Sequence, residues 1–297
     1  MERYEKFVIE AERGIRFEVS EGTSGELIIR AEKSTSTIYS DNYVNPPIPK
    51  GYKHVCGGWN DGFVIEKIFG GSQFVWIPVG SLDSNGTLDG KEFSEKFGRR
   101  YFMGEYDKYR GLSFKEDFNY EFIQQFDSVK KYGGFYISRY NISKSPTGKP
   151  RSVKGAMPWV NLEIFEAEKI ASTMEDSRAA LKSHLVYGAE FDSVLEWFIK
   201  TKAKSLVEIV EKSNKLGNYN TGEIAVTGSR EEWCINNIYD FAGNVFEWTQ
   251  EKKYSSDPVT RGGSYKEDGD KYPVSSREND RLFGRDDIGF RVALSIE

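Results

Sequence analysis

Ile238-Tyr239-Asp240-Phe241-Ala242-Gly243-Asn244-Val245-Phe246-Glu247-Trp248 is the stretch on which the reading of this chain turns. It sets Ile, Tyr, Phe, Val, Phe and Trp around one Gly-Asn step and two acids, Asp240 and Glu247. A helix interior disfavours the central Gly-Asn, and a single strand does not put two carboxylates seven apart on the same side. A tight loop satisfies both facts, with backbone carbonyls and the two carboxylates converging on one point while the aromatics anchor its flanks. Hard oxygen ligands converging from a loop suit calcium.

Working outward, the stretch is followed by Thr260-Arg261-Gly262-Gly263-Ser264-Tyr265 and then by Ile288-Gly289-Phe290-Arg291-Val292-Ala293-Leu294. In that order and spacing the motifs resemble the C-terminal signature of the formylglycine-generating, sulfatase-modifying domain. Gly133 to Tyr140 and the segment around Ala189 to Trp197 extend the resemblance to roughly residues 130–297. It implies an α+β chain: a C-type-lectin-like (formylglycine-generating-enzyme-like) domain preceded by a β-rich N-terminal region. Ile48 to Tyr52, Gly57-Gly58 and Phe74-Val75-Trp76-Ile77-Pro78-Val79 resemble a segment that precedes lectin-like domains in tail proteins of Gram-positive prophages.

Composition bounds the rest. The 297 residues are 29% charged and 38% hydrophobic, which is the balance of a soluble globular chain. Formal net charge is -5 with no basic tail, so the electrostatic footprint of a nucleic-acid binder is missing. No apolar run near the N-terminus reads as a signal peptide and none is long enough to span a membrane, so neither conventional export nor membrane insertion is expected. Two cysteines, Cys56 and Cys234, make no disulfide framework and are read as reduced, buried thiols.

Three segments are expected. Residues 1–45 hold two or three short strands, including Phe7-Val8-Ile9, Ile15 to Val19 and Leu27 to Ile29, which serve attachment or oligomerisation or pack as an extra sheet. Beyond the proline-rich Asn45 to Gly51, residues 46–130 give a β-hairpin, His54–Glu66 with Gln73–Val79, and an insertion packed on the core, with a helix over Glu116–Lys130. Residues 131–297 form the lectin-like domain. In it Asn161 caps a helix carrying Leu162, Phe165, Ile170 and Met174 inward, Glu190–Ala203 is a second helix with Phe191, Val194, Leu195 and Phe198 inward, and Gly289–Leu294 is the last strand.

The resemblance implies a structural calcium at the Asp240 loop, held by the Asp240 and Glu247 side chains and the carbonyls of Gly243 and Val245. The alternative is a metal-free turn in which Asp240 caps backbone amides and Glu247 forms a buried ion pair. Arg261 and Arg291 read as fold devices tying loops to the sheet by bidentate hydrogen bonds. The related oxidases carry a reactive, copper-binding cysteine pair just after Gly263. Here Ser264 to Arg277 contains no cysteine, and no other residue type supplies the thiolates of a Cu(I) site. The only histidines, His54 and His184, lie in different segments and read as surface or loop residues, against an iron site. The chain is therefore expected to be no enzyme and to hold no redox metal.

What replaces the active site is a recognition surface. Tyr265, Lys266, Tyr272, Asn279, Arg281, Phe283 and Arg285 give a Tyr-, Arg- and Asn-rich run expected on exposed loops, with Arg277 between them at a position structural in the family. The expectation is ligand binding by a phage tail, tailocin or injection-particle protein, on a virion surface. Its partners would be a cell-surface glycan or protein receptor and other particle proteins, in a homo-oligomer. An altered enzyme remnant and a purely structural assembly protein are the alternatives.

Overall fold

The computed structural model describes residues 15–21, 27–33, 46–59, 61–79, 114–115, 120–175, 181–253, 257–279 and 283–297. The chain divides into two units, Met1–Tyr43 and Val44–Glu297. In the first, β1 (Ile15–Glu21) and β2 (Leu27–Lys33) form an antiparallel hairpin registered from Ile15 opposite Lys33 to Glu21 opposite Leu27. Phe7-Val8-Ile9, and residues 80–113 of the insertion expected within 80–130, lie outside the described residues.

The second unit is built on a six-stranded sheet. Its strands are β3 (Tyr52–Cys56), β4 (Val64–Lys67), β5 (Gln73–Pro78), β7 (Gly134–Ser138), β10 (Leu181–Leu185) and β17 (Val292–Ile296), in the order β10-β17-β7-β5-β4-β3. Every neighbouring pair is antiparallel. The hairpin expected to pack on the core is thus half of the core sheet, and the run His54–Glu66 is two strands turned back at Gly57 and Gly62, both with positive φ.

Both faces of this sheet are covered, which is why Phe74-Val75-Trp76-Ile77 reads as a continuous apolar run. Side chains alternate along a strand. Val75, Ile77, Phe135, Ile137 and Ala293 enter one core with Phe191, Val194, Leu195 and Phe198. Phe74, Trp76, Tyr136, Val292 and Leu294 enter the other with Ile164, Ala167 and Ala171.

Four α-helices are described: α1 (Tyr120–Tyr132), α2 (Ile164–Ser172), α3 (Gly188–Lys200) and α4 (Leu206–Val210). Helix α3 carries the four residues expected inward, all buried. Helix α2 departs from expectation. Its N-cap is Glu163 rather than Asn161, because Asn161 takes a left-handed backbone (φ 61) and cannot lead directly into the helix. Phe165 is 62% exposed, since the buried stripe runs through Ile164, Ala167 and Ala171. Small residues on that stripe let the helix lie close on the sheet.

A second sheet positions the candidate site. Its strands are β13 (Phe246–Lys253), β14 (Asp257–Arg261), β15 (Arg277–Asn279) and β16 (Ile288–Phe290), in the order β15-β14-β13-β16, with β6 (Phe114–Lys115) also on β13. The single last strand expected over Gly289–Leu294 is two, β16 in this sheet and β17 in the first, broken at Arg291. The short pairs β8 (Ser143–Lys144) with β9 (Pro150–Arg151), and β11 (Cys234–Ile235) with β12 (Ile238–Tyr239), complete the description. Among the described residues no helix is long and apolar enough to cross a membrane.

Candidate functional site

Local backbone chemistry sets up the 238–248 loop. Asn236 and Asn237, both with positive φ, make the two-residue turn between β11 and β12, the arrangement asparagine tolerates best among residues with a side chain. Asp240, Gly243 and Asn244 are also left-handed, so the chain from β12 to β13 coils tightly instead of extending. Asn244 fastens that coil. Its Oδ1 accepts from Ala225 N–H (2.9 Å) and Asn218 Nδ2 (3.1 Å), and its Nδ2 donates to the Ala225 carbonyl (3.1 Å). Phe241 stacks on Phe191 of α3 at 4.3 Å between centroids, and Trp248 Nε1 donates to the Leu162 carbonyl at 3.0 Å. The aromatics anchor the flanks as the sequence suggests.

The two acids are close enough to act on each other, and Arg291 acts on both. Arg291 Nε donates to Glu247 Oε1 (2.7 Å), Nη1 to the Ser138 carbonyl (3.0 Å) and Nη2 to the Tyr239 carbonyl. Its charge also acts on Asp240. Asp240 Oδ2 accepts from Gly228 N–H at 2.7 Å, so Asp240 caps a backbone amide and Glu247 forms a buried ion pair. Burial still dominates: it pushes the Asp240 carboxyl up to about 6, against the opposing Gly228 N–H and Arg291. Burial also raises Glu247, against Arg291 and Asn141, and the nearby Asp240 adds to the rise.

Three oxygens here are buried without a hydrogen-bond partner among the described residues: Asp240 Oδ1, Glu247 Oε2 and Asn141 Oδ1, while Asn141 Nδ2 donates to Glu247 Oε1 at 2.8 Å. Orphaned buried acceptors on mutually interacting residues fit a hard cation. Among the described residues no group of three or more His, Cys, Asp or Glu is placed to hold a metal, so the two acids would act with amide and carbonyl oxygens. Asn244 is the Asn of the Gly-Asn step, but its partners Asn218 and Ala225, like the role of Asn141, come from segments distant in the chain that no spacing pattern marks.

The neighbouring arginines form a second buried network. Arg261, fully buried, pairs through Nη2 with Asp192 Oδ1 (2.7 Å) and through Nη1 with Glu251 Oε2 (3.1 Å). Arg277 pairs with the same two acids, to Asp192 Oδ2 and to Glu251 Oε1 (2.8 Å). Arg261 Nε and Nη2 also donate to the Ser276 and Ser275 carbonyls. These are fold devices, and they pin the base of the loops beyond.

The expected recognition residues divide. Lys266 and Arg285 are exposed, and they come together over an acidic step: Lys266 Nζ pairs with Asp286, and Arg285 Nε with Asp287 Oδ1 (2.9 Å). Phe283 is 66% exposed. Tyr265, expected on an exposed loop, is instead buried, because its amide donates to the Asn244 carbonyl (2.9 Å) and draws the residue against the Asp240 loop. Tyr272 is half-buried, and Glu278 and Glu267 push its hydroxyl pKa up. Arg281 and the Asn279 side chain lie outside the described residues. Asp286 and Asp287 were not picked out, although they immediately precede the Ile288-Gly289-Phe290 motif.

His54 is on the surface as expected, while His184 and the two cysteines need correction. His184 is on strand β10 with Nε2 2.9 Å from Glu190 Oε1, and His54 on β3 stacks on Phe63. Both sit in strands of the central sheet because their backbones pair there, whatever their polarity. Cys56 and Cys234 are free thiols and half-buried rather than buried.

Residues 191–296 match the family model of the sulfatase-modifying factor enzyme 1-like domain. That stretch runs from α3 through both buried arginine networks to β17, so the resemblance seen in the motifs holds over this part of the chain. No curated protein matches the sequence. Among solved structures, Treponema denticola variable protein 1 is similar at 16% identity, with 82% of this chain and 98% of that chain covered and a TM-score of 0.33.

Proposed function

We propose that this protein is a non-catalytic ligand-binding module of C-type-lectin-like architecture, whose binding face is the outer side of the loops between Ser264 and Asp287. The observation that carries this reading is the fate of the segment after Gly263. It lacks cysteine throughout, and its ends are committed to structure, with Arg277 and the Ser275 and Ser276 carbonyls in the buried network and Ser264 Oγ donating to Asp287 Oδ2 at 3.1 Å. Outward from this fixed base stand Phe283 and Arg285, an aromatic and an arginine of the kind enriched at protein recognition surfaces, beside Lys266. A rigid base lowers the entropy cost of binding, since only the outer side chains remain to be ordered.

Attachment to a bacterial cell surface by a phage tail or related particle is the setting this reading favours. A receptor there can be engaged by many copies at once, so modest affinity per domain suffices. Calcium belongs to the same proposal: Asp240, Glu247 and the Gly243 and Val245 carbonyls, with Asn141 beside them, would hold it, and it would supply the positive charge that the orphaned oxygens lack.

The test is binding of purified protein to intact bacterial cells, with calcium or with chelator, against a Lys266→Ala, Phe283→Ala, Arg285→Ala triple variant. Lost binding at an unchanged melting temperature supports the loop face. Unchanged binding by the variant, or none by the parent, overturns it and favours a structural assembly role.

A further inference from the structure

A cleft of about 720 Å³ opens elsewhere on the second unit, walled by three elements. The turn between β4 and β5 supplies Lys67, Phe69 and Ser72; the β8–β9 hairpin supplies Ser145, Thr147, Lys149 and Arg151; the residues after α2 supply Thr173 to Glu175. None of the described residues of the 264–287 loops lines it. Its size is that of a small-ligand site, which runs from about 300 to about 1,000 Å³.

The charge in the cleft runs against that of the chain. Among the described residues three cations, Lys67, Lys149 and Arg151, face one acid, Glu175, in a protein of net charge -5. Glu175 and Lys67 offset each other, Glu175 Oε1 accepting from Lys67 Nζ (2.6 Å) and from Tyr52 Oη (2.6 Å), which leaves Lys149 and Arg151. Lys149 and Arg151 have no ion pair among the described residues, and Arg151 Nε is buried with no partner. Water does not reach that nitrogen, so a ligand in the cleft would meet the two outer nitrogens of the guanidinium fork.

The walls are also rigid. Ser145 Oγ accepts from Lys149 N–H (2.9 Å) and Gly148 N–H donates to the Ser145 carbonyl (2.9 Å), closing the hairpin turn. Gln73 N–H donates to the Ser152 carbonyl (2.9 Å), tying that hairpin to β5. At the rim Phe69 is 86% exposed, an aromatic ring with no core to enter.

We propose that this cleft binds an acidic oligosaccharide, with Arg151 and Lys149 holding a carboxylate or sulfate of one sugar. Ser145 and Thr147, whose hydroxyls also bond each other (3.1 Å), and Thr173, whose hydroxyl donates to the Ile170 carbonyl (2.7 Å) and accepts from the ligand, meet sugar hydroxyls, and the Phe69 ring covers the C–H face of a neighbouring ring. A planar fork and a point charge suit an oxyanion. Side-chain hydroxyls both donate and accept, as sugar hydroxyls require. An exposed aromatic in contact with a polar cleft gives a carbohydrate what a free anion could not use.

The experiment is calorimetric titration of the full chain with a galacturonate tetrasaccharide, a heparin-derived tetrasaccharide, a neutral dextran oligosaccharide of equal length and sodium sulfate. Binding of at least one acidic oligosaccharide, at least tenfold tighter than sulfate and with no dextran binding, is expected. It should weaken at least tenfold in Lys149→Ala/Arg151→Ala and at least threefold in Phe69→Ala, while the Lys266/Phe283/Arg285 triple variant binds as the parent does. Melting temperatures within a degree or two of the parent confirm that the substitutions leave the fold intact, and Arg151→Lys gives a conservative second test that should weaken binding without abolishing it. No binding of either acidic oligosaccharide, binding no tighter than sulfate, or binding indifferent to Lys149 and Arg151 overturns the proposal.

Discussion

Arg261 on β14 stands directly opposite Arg277 on β15, two like charges paired across antiparallel strands and both withdrawn from solvent. Like charges in that position repel, and each would be costly to bury alone. Asp192 from α3 and Glu251 from β13 each accept from both guanidiniums, so four charges close into one neutral cluster. Removing one acid leaves an uncompensated buried cation, and Asp192→Asn or Glu251→Gln should cost about 3–5 kcal/mol in urea unfolding. The Arg261→Met/Asp192→Leu pair should cost clearly less than the sum of its single changes, because the second change removes the charge the first stranded. Additive losses would mean the cluster is not a unit.

Calcium should act on the other arginine centre. If Asp240 Oδ1 and Glu247 Oε2 take a cation, 100-fold excess over Kd stabilises the fold by about 2.7 kcal/mol, a rise of about 5–10 °C in Tm for a unit this size. Asp240→Asn and Glu247→Gln should each abolish the rise by removing a ligand charge. Melting curves identical in calcium and in chelator would show that Arg291 alone balances the two acids.

The parts of this structure legible in the sequence are those with local causes. The Gly-Asn step flanked by aromatics predicts a coiled loop, and Phe191, Val194, Leu195 and Phe198 predict one face of α3, each from residues within a turn or two of one another. The sheet order is another matter. Phe74-Val75-Trp76-Ile77 has no alternation because both its faces are buried, so nothing in it says that β5 pairs with β7. Phe165 looks inward by composition, yet three small or branched residues carry the contact and leave it outside. The buried charge networks are the least readable: Arg261 meets Asp192 across 69 positions, and Arg291 meets Glu247 across 44. Only topology makes those pairs.

Cys234 offers a check on local burial. Burial is the leading cause that raises its thiol, outweighing Arg139 and the Tyr239 hydroxyl, so the folded protein holds this proton more tightly than the unfolded chain does. The sign follows: stability from this group is fully present below the unfolded thiol's pKa and is lost as pH rises through the folded value. In a Cys56→Ser variant, alkylation by iodoacetamide at pH 8 should be several-fold slower in the native state than in urea. The native rate should still be climbing where an ordinary thiol has levelled off. A native profile that levels off below that range would contradict the burial.

Gly217 is a position where one methyl group tests how the 238–248 loop is held. A Cβ there would overlap the Ala242 carbonyl oxygen, next to the point where Asn218 and Gly243 form a parallel bridge and Asn244 N–H donates to the Asn218 carbonyl at 2.9 Å. Gly217→Ala must push the 217–220 segment off the loop or move the Ala242 peptide. Overpacking of this kind costs about 1–3 kcal/mol. Because the displaced peptide adjoins Gly243, the variant should also lose most of any calcium-dependent rise in Tm. Gly155→Ala is the control, since Gly155 has φ 75 and no atom within 4 Å of the added carbon, so it reports left-handed strain alone, about 1–2 kcal/mol. Loss of the calcium response in Gly217→Ala but not in Gly155→Ala would tie that response to the geometry of the Ala242–Val245 backbone; equal responses in both would place the cation elsewhere.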